Sequence, residues 1–164
     1  VSYTNQLNFI NLYKKPKQLG NDRIANLSGA SELFRTSCIV IDFGTAVTVN
    51  ALNSKKEFTG GFIFPGEFLM YESLGKTSLL PVITDNQPEV FPGKTTEESI
   101  TAGVRNIIRH GLTDVIKRLK KELEPPVKVI VTGGGAGLFS NEKGVKIIPA
   151  LIHIGIKTLY YKNK

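Results

Sequence analysis

Two carboxylates stand where phosphoryl chemistry would want them. The first, Asp42, follows the apolar run Ile39-Val40-Ile41 and enters the turn Phe43-Gly44-Thr45, with Ala46-Val47-Thr48 beyond. A glycine in such a turn lets backbone amides come close to phosphate oxygens, a threonine hydroxyl can donate to them, and an aspartate can hold a cation that offsets their charge. The same spacing also fits a plain hairpin turn in which Asp42 caps Gly44 and Thr45. The second carboxylate, Asp22, belongs to Gly20-Asn21-Asp22-Arg23, a turn ahead of a helix. Here a guanidinium can grip a carboxylate through two parallel bonds, and the neighbouring aspartate can accept a hydroxyl proton. The plainer alternative is a helix cap beside a surface arginine. A third segment, Thr132-Gly133-Gly134-Gly135-Ala136-Gly137, ends a strand with open amides, as at many nucleotide sites. It lacks the spacing and the later ribose acid of a dinucleotide fingerprint, and it has no Walker lysine, so the Rossmann and P-loop readings fail.

Other reactive residue types carry less. His110 and His153 sit in helical patterns without ligand-spaced partners, which points to structural or surface roles. The single cysteine, Cys38, excludes an intramolecular disulfide and a cysteine-rich zinc site, and it fits a reducing compartment.

The elements that position these residues are readable from periodicity. Val1 to Gly20 reads as an extended lead-in segment closing in a turn at Leu19-Gly20-Asn21. Asp22 then starts a helix over Arg23 to Phe34, with Ile24, Leu27, Ala30 and Leu33 as its apolar stripe. Ser37 to Asp42, Ala46 to Leu52 and Phe58 to Phe64 are β-branched or aromatic runs joined by short turns, an antiparallel meander. A helix beginning near Pro65 follows, then a loop with Pro81, Pro88 and Pro92. Thr95 or Thr96, with Glu97 and Glu98 in the first turn, opens the longest helix, whose stripe includes Ile100, Val104, Ile107, Ile108, Leu112 and Val115. Pro125 and Pro126 stop it. A strand over Val127 to Thr132, a short helix at Leu138 and Phe139, a strand over Val145 to Ile148 and a helix or turn around Ala150 to Ile156 complete the order. This is α/β, a mixed sheet with a three-strand meander and helical crossovers, the ordering of a ribonuclease-H-like layer as in the actin, hexokinase and sugar-kinase folds.

Bulk properties agree with one ordinary domain. The 164 residues can bury a core unaided, 41% are hydrophobic, and no run approaches the 18 apolar residues of a membrane span. The net charge of +7 sits in short lysine clusters without the aromatic interleaving of an RNA-binding sheet, so a solvated face is expected, with neither a nucleic acid nor a membrane as partner.

Taken together, Leu19 to Arg23, Ile41 to Ala46, Gly60-Gly61-Phe62-Ile63-Phe64-Pro65-Gly66, Thr77 to Pro81, Gly93 to Ile100 and Thr132-Gly133-Gly134 resemble the type III pantothenate kinase family in order and spacing. The resemblance implies ATP, accompanied by Mg2+, and pantothenate as substrates, and a monovalent cation, potassium or ammonium, as cofactor. It implies Asp22 as the base that takes the pantothenate hydroxyl proton. Tyr13, Gly20, Asn21, Asp22, Arg23 and Thr96 would bind pantothenate. Asp42 would bind the cation, Gly44 and Thr45 the ATP phosphates, and Gly133 and Gly134 the adenosine. It further implies a cytoplasmic homodimer whose site is shared across the interface, with Thr77 and its neighbours serving the partner's site.

Some positions depart from the family. Nothing before Gly20 matches the first phosphate loop, which leads us to expect residues 1–21 to be the lead-in from an N-terminal half or partner chain. Residues 22–164 would then be the C-terminal kinase domain, weak in binding and slow in turnover alone. Asn50 stands where the family often has an acid, Thr95 replaces an asparagine, and Ser78-Leu79 differs as well. Two rival readings use the same features: a non-enzymatic accessory factor of the Baf kind, and a nucleic-acid-binding module driven by charge, which would bind with steep salt dependence.

Overall fold

The computed structural model describes residues 6–77, 79–84, 88–140 and 142–164; Ser78, the side chain of Thr77 and residues 1–5 of the lead-in lie outside the described residues. In chain order the elements are β1 (Ile10–Asn11), a 3-10 turn (Pro16–Gln18), α1 (Asn21–Leu33), β2 (Ser37–Phe43), β3 (Ala46–Leu52) and β4 (Glu57–Pro65). There follow α2 (Glu67–Thr77), α3 (Thr96–Glu122), β5 (Val127–Gly133), a 3-10 turn (Ala136–Phe139), β6 (Val145–Ile147) and α4 (Leu151–Lys162). The six strands form one sheet in the order β1-β4-β3-β2-β5-β6. β2, β3 and β4 make the expected antiparallel meander, while β5 pairs parallel to β2 and β6 parallel to β5. That is the ribonuclease-H-like arrangement, with β1 added along the far edge, parallel to β4.

β2 lies at the centre and is buried on both faces, which is why it reads as a continuous apolar run rather than an alternation. Its side chains still divide by the period of two. Ile39, Ile41 and Phe43 join Val47 and Val49 under α3, through Val104, Ile108 and Leu112. Cys38 and Val40 join Phe58 and Ile130 under α1 and α4, through Ile24, Leu27, Leu151 and Leu159. Each such side chain removed from water contributes about 1.5–3 kcal/mol. Asp42 carries the register of Cys38 and Val40 and so belongs to the α1 face.

α1 and α4 approach closely because both carry glycine at the crossing: a Cβ on Gly155 would lie 1.7 Å from the Ala25 carbonyl oxygen, and one on Gly29 2.5 Å from that of Leu151. The lead-in is fastened to the same helix. Asn8 Nδ2 donates to the Ser28 carbonyl at 3.0 Å, Ser31 Oγ donates to the Asn8 carbonyl at 2.8 Å, and Phe9 and Leu19 are buried in the α1 core.

Five local expectations need correction. α1 starts two residues earlier than Arg23, at Asn21: Gly20 is its N-cap, without a side-chain cap bond, and Asp22 sits inside the first turn. Leu33 is 44% exposed, because the core beneath α1 ends at Ala30. The helix expected at Pro65 begins at Glu67; Pro65 closes β4 opposite Ala46, on a stretch where β1 no longer pairs and no N–H is needed. In α3, Ile107 is 64% exposed, since neighbouring residues on a helix point about 100° apart and Ile108 takes the core position. α4 also runs beyond Ile156 to Lys162, because Leu159 continues the buried row of Leu151 and Gly155. Among the described residues no helix is long and apolar enough to cross a membrane.

Candidate active site

The N-terminus of α1 and the ends of β2 and β3 place a group of polar side chains on one face of the sheet. Arg23 is only 4% exposed, so the surface-arginine alternative does not hold. Its Nε donates to Asn50 Oδ1 at 2.7 Å and its Nη1 to the Tyr13 hydroxyl at 3.0 Å. The guanidinium lies over the rings of Tyr13 and Phe58, with its carbon 5.3 and 5.4 Å from their centroids. Nη2 is buried and has no hydrogen-bond partner. No described carboxylate lies within ion-pair distance of Arg23. A buried cation left in this condition costs several kcal/mol unless an anion joins it. Gly61 keeps the space open: a Cβ there would stand 1.9 Å from the Val49 carbonyl oxygen and 3.2 Å from Nη2.

Asp22 is exposed beside this group. Its Oδ1 folds back over Gly20, to 2.5 Å from where a Cβ would be, so a side chain at residue 20 would displace the carboxylate. Asn21, next to it, is exposed as well. Asp42 does not cap its own turn. The Gly44 N–H goes to the Ala46 carbonyl at 3.2 Å, and Asp42 Oδ2 accepts from Asn26 Nδ2 at 2.7 Å. Burial raises the Asp42 pKa, the Asn26 bond opposes this, and the charge of Asp22 raises it further. Its other oxygen, Oδ1, lies beside Gly133, where a φ of +89° and a Cβ that would stand 2.5 Å from that atom admit no side chain. Asp42 is therefore a partly buried carboxylate with an acidic neighbour, a setting that a cation would relieve.

The opposite face holds the rest. Gly44, Thr45 and Gly134 line a cavity of about 670 Å³ between the β2–β3 turn and α2. A second, polar cavity of about 320 Å³ adjoins it, bounded by Glu89, Arg105, Arg109 and Gly137. Glu67, Gly134 and Gly135 line both. Glu67 Oε1 accepts from Arg105 Nε and from the Tyr71 hydroxyl, each at 2.6 Å; burial, then the Glu67 bond and charge, push the Tyr71 hydroxyl up to about 12. Arg109 holds Glu89 with both Nη atoms, at 3.0 and 2.8 Å.

Within the chain, then, Asp22, Arg23, Tyr13, Asp42, Gly20 and Gly133 come together on the α1 side, and Gly44, Thr45 and Gly134 on the other. Thr96 opens α3, on the opposite face from Asp22 and Arg23, and is exposed. Its neighbour Thr95 is the N-cap, in a reciprocal capping box with Glu98. Sequence reasoning missed Asn26, although a buried polar residue four positions after Asp22 is a readable signal on a helix. It also missed Glu67 and Arg105, which lie 38 residues apart and share no local pattern.

The family model for type III pantothenate kinase matches residues 1–118. A type III pantothenate kinase of Halalkalibacterium halodurans is 37% identical over 154 residues, covering 92% of this chain and 61% of that protein. One from Geobacillus thermodenitrificans is 35% identical, covering 92% and 60%. The chain thus spans about 60% of the length of these curated relatives. Among solved structures, a Campylobacter jejuni protein assigned to the Baf family of transcriptional activators superposes with a TM-score of 0.66 at 26% identity, covering 94% of this chain and 68% of that one. With the family model matched over most of its residues, this chain belongs to the type III pantothenate kinase family.

Proposed function

We propose that the protein transfers the terminal phosphoryl group of ATP to the hydroxyl of pantothenate, giving 4'-phosphopantothenate, the first step toward coenzyme A. The observation that carries this reading is the buried, uncompensated guanidinium of Arg23 with a free Nη2, a site that asks for a carboxylate, next to the exposed carboxylate of Asp22. Pantothenate offers a carboxylate at one end and a hydroxyl at the other. Arg23 anchors the first, with Tyr13 beside it and the Gly20–Asn21 backbone completing the turn. Asp22 accepts the hydroxyl proton as the new P–O bond forms. Phosphoryl transfer needs positioning and charge neutralisation more than covalent chemistry.

Gly44 and Thr45 serve the ATP phosphates, and Gly133 and Gly134 the adenosine. Mg2+ enters with ATP as part of the substrate. The donor set at Asp42 fits a monovalent cation: one partly buried carboxylate, with no cluster of three or more His, Cys, Asp or Glu among the described residues to make a transition-metal site. When bound at Asp42, potassium or ammonium would offset the paired negative charge of Asp42 and Asp22, next along β2 to the turn proposed for the phosphates.

Homodimerisation gives Thr96 a route to the pantothenate pocket, from a second copy. The exposed apolar side chains of Ile63, Phe68 and Ile107, on β4, α2 and α3, support such an interface. Another wall of the ATP cleft falls to an N-terminal half, in the same polypeptide or on a partner chain, without which turnover is slow or nil. Such a protein works in the cytoplasm, where its substrates are.

The test is a coupled assay of ATP- and potassium-dependent phosphorylation of pantothenate by the protein at its full natural length. We expect turnover that Asp22→Ala abolishes; an inactive wild-type protein sinks the proposal. The likeness to the Baf protein favours one alternative, a non-enzymatic accessory factor on the same fold. Calorimetry in which neither ATP nor pantothenate binds, with a protein partner captured instead, would establish that alternative.

A further inference from the structure

We infer that Glu67 reads a ribose hydroxyl of the nucleotide and is a specificity-determining residue of the ATP site, an inference that rests on the phosphotransfer reading. Glu67 opens α2 directly after Gly66. Gly66 is pressed against the phosphate turn: its N–H donates to the Thr45 carbonyl at 3.0 Å, and a Cβ on it would lie 2.5 Å from that oxygen and 2.7 Å from that of Gly44. The position of Glu67 relative to Gly44 and Thr45 is therefore fixed by backbone.

The carboxylate stands at the waist between the two adjoining cavities and lines both, together with Gly134 and Gly135. On one side lies the phosphate turn. On the other lies a polar space walled by Arg109, paired with Glu89, and by the backbone of Gly137. A nucleotide laid along this path with its phosphates at Gly44 and Thr45 presents, in order, phosphate, ribose and base. The ribose falls at the waist.

The chemistry there suits a hydroxyl. Arg105 Nε and the Tyr71 hydroxyl both donate to Oε1, so the Oε2 edge is left to accept. The side chains of Glu67 and Arg105 are 23% and 8% exposed, which holds the carboxylate in place while keeping it within reach of a ligand. An ionised carboxylate only accepts hydrogen bonds, so it repels a phosphate and rewards a donor. The sugar hydroxyls are the donors nearest the phosphates. The plainer role, an ion pair that ties α2 to α3, makes no use of the place Glu67 occupies between the cavities.

The two roles separate by experiment. Binding of ATP, 2'-deoxy-ATP and 3'-deoxy-ATP is measured by calorimetry on the full-length protein, and the wild type needs no variant to be informative. A hydrogen bond to a charged acceptor predicts that one of the deoxy analogues binds about tenfold or more weakly than ATP. In Glu67→Gln and Glu67→Leu that ratio should fall toward one. Arg105→Gln breaks the ion pair and leaves the carboxylate, so it should lower stability and keep the discrimination. ATP binding without discrimination in the wild type overturns the inference and leaves the phosphotransfer reading standing. Discrimination that survives in both Glu67 variants, or disappears in Arg105→Gln alone, also overturns it. If ATP itself does not bind, the phosphotransfer reading fails first and takes the inference with it.

Discussion

Replacing Gly155 with alanine probes the joint on which the polar face depends. The added Cβ would lie 1.7 Å from the Ala25 carbonyl oxygen, 2.6 Å from its carbon and 2.9 Å from the Gly29 nitrogen. All three are backbone atoms, so no side chain can swing aside. Restoring an ordinary C···O separation of about 3.3 Å requires α1 and α4 to part by roughly 1.6 Å. Overpacking of this kind costs about 1–3 kcal/mol, and the absence of any soft neighbour puts the cost at the upper end. Alanine returns about 1 kcal/mol through helix propensity, leaving a net loss of about 2 kcal/mol. For a protein of this size that lowers Tm by about 4–8 °C. The matched control is Gly103→Ala, also inside a helix but with nothing within 4 Å of the new Cβ; it should stabilise by up to about 1 kcal/mol. Thermal unfolding of the two variants beside wild type decides. Since Ala25 lies between Arg23 and Asn26, the KM for pantothenate should rise in the first variant and not in the control. An unchanged Tm for Gly155→Ala, or an equal loss for Gly103→Ala, refutes the packing argument.

Three further outcomes follow from the same geometry. Asp42→Asn keeps the acceptor for Asn26 but removes the charge, so it should raise Tm in cation-free buffer while abolishing potassium-dependent turnover. The raised pKa means that the native state holds this proton more tightly than the unfolded chain, so wild type loses stability as pH rises through the window just above the usual aspartate value, and a pH series of Tm should show the variant lacking that loss. Arg23→Lys cannot reach Asn50 and Tyr13 together and still offer a second donor, so the KM for pantothenate should rise about tenfold or more with a smaller change in kcat, as steady-state kinetics would show. Cys38, whose thiol burial pushes up to about 11 with Lys128 partly opposing, should resist iodoacetamide at mildly alkaline pH until denaturant is added, as intact mass would report.

The meander and the two crossover strands were legible because each is a local pattern: apolar runs bounded by turn residues, and at the start of α3 two threonines followed by Glu97 and Glu98. Asp42 and Asp22 were legible as chemistry for a similar reason, since each lies two residues from a turn glycine in the chain. What sequence could not supply was the partner of each group. That Arg23 would be buried depends on the lead-in folding back, so that Tyr13 covers the guanidinium from one side and Phe58 of β4 from another. That Asp42 would bond Asn26 depends on α1 crossing β2 at a particular height, which the glycines of α1 and α4 decide. Pro65 misled because a proline is favourable both at a helix start and at the unpaired end of a strand, and only the extent of β1 chooses between them.

The division of polar groups between two faces gives β2 a role beyond its core contacts. Side chains alternate along a strand, so Asp42 and Phe43 point to opposite faces from adjacent positions. The carboxylate proposed to hold the cation therefore sits one residue away from the turn proposed to serve the phosphates, but across the sheet from the cavity which that turn lines. Movement of one without the other would require β2 to bend, and β2 is hydrogen-bonded on both sides, to β3 through Phe43↔Val47 and to β5 through Phe43↔Gly133. Gly133 tightens this further, since its left-handed backbone lies against both Asp42 Oδ1 and the Phe43 carbonyl oxygen. A side chain at residue 133 would disturb the carboxylate on one face and the turn on the other in a single step. Gly133→Ala should accordingly weaken cation activation and ATP binding together, each by a similar factor, in potassium and ATP titrations of turnover. A variant that loses one and keeps the other would show that the two faces are set independently, and that β2 is only a wall between them.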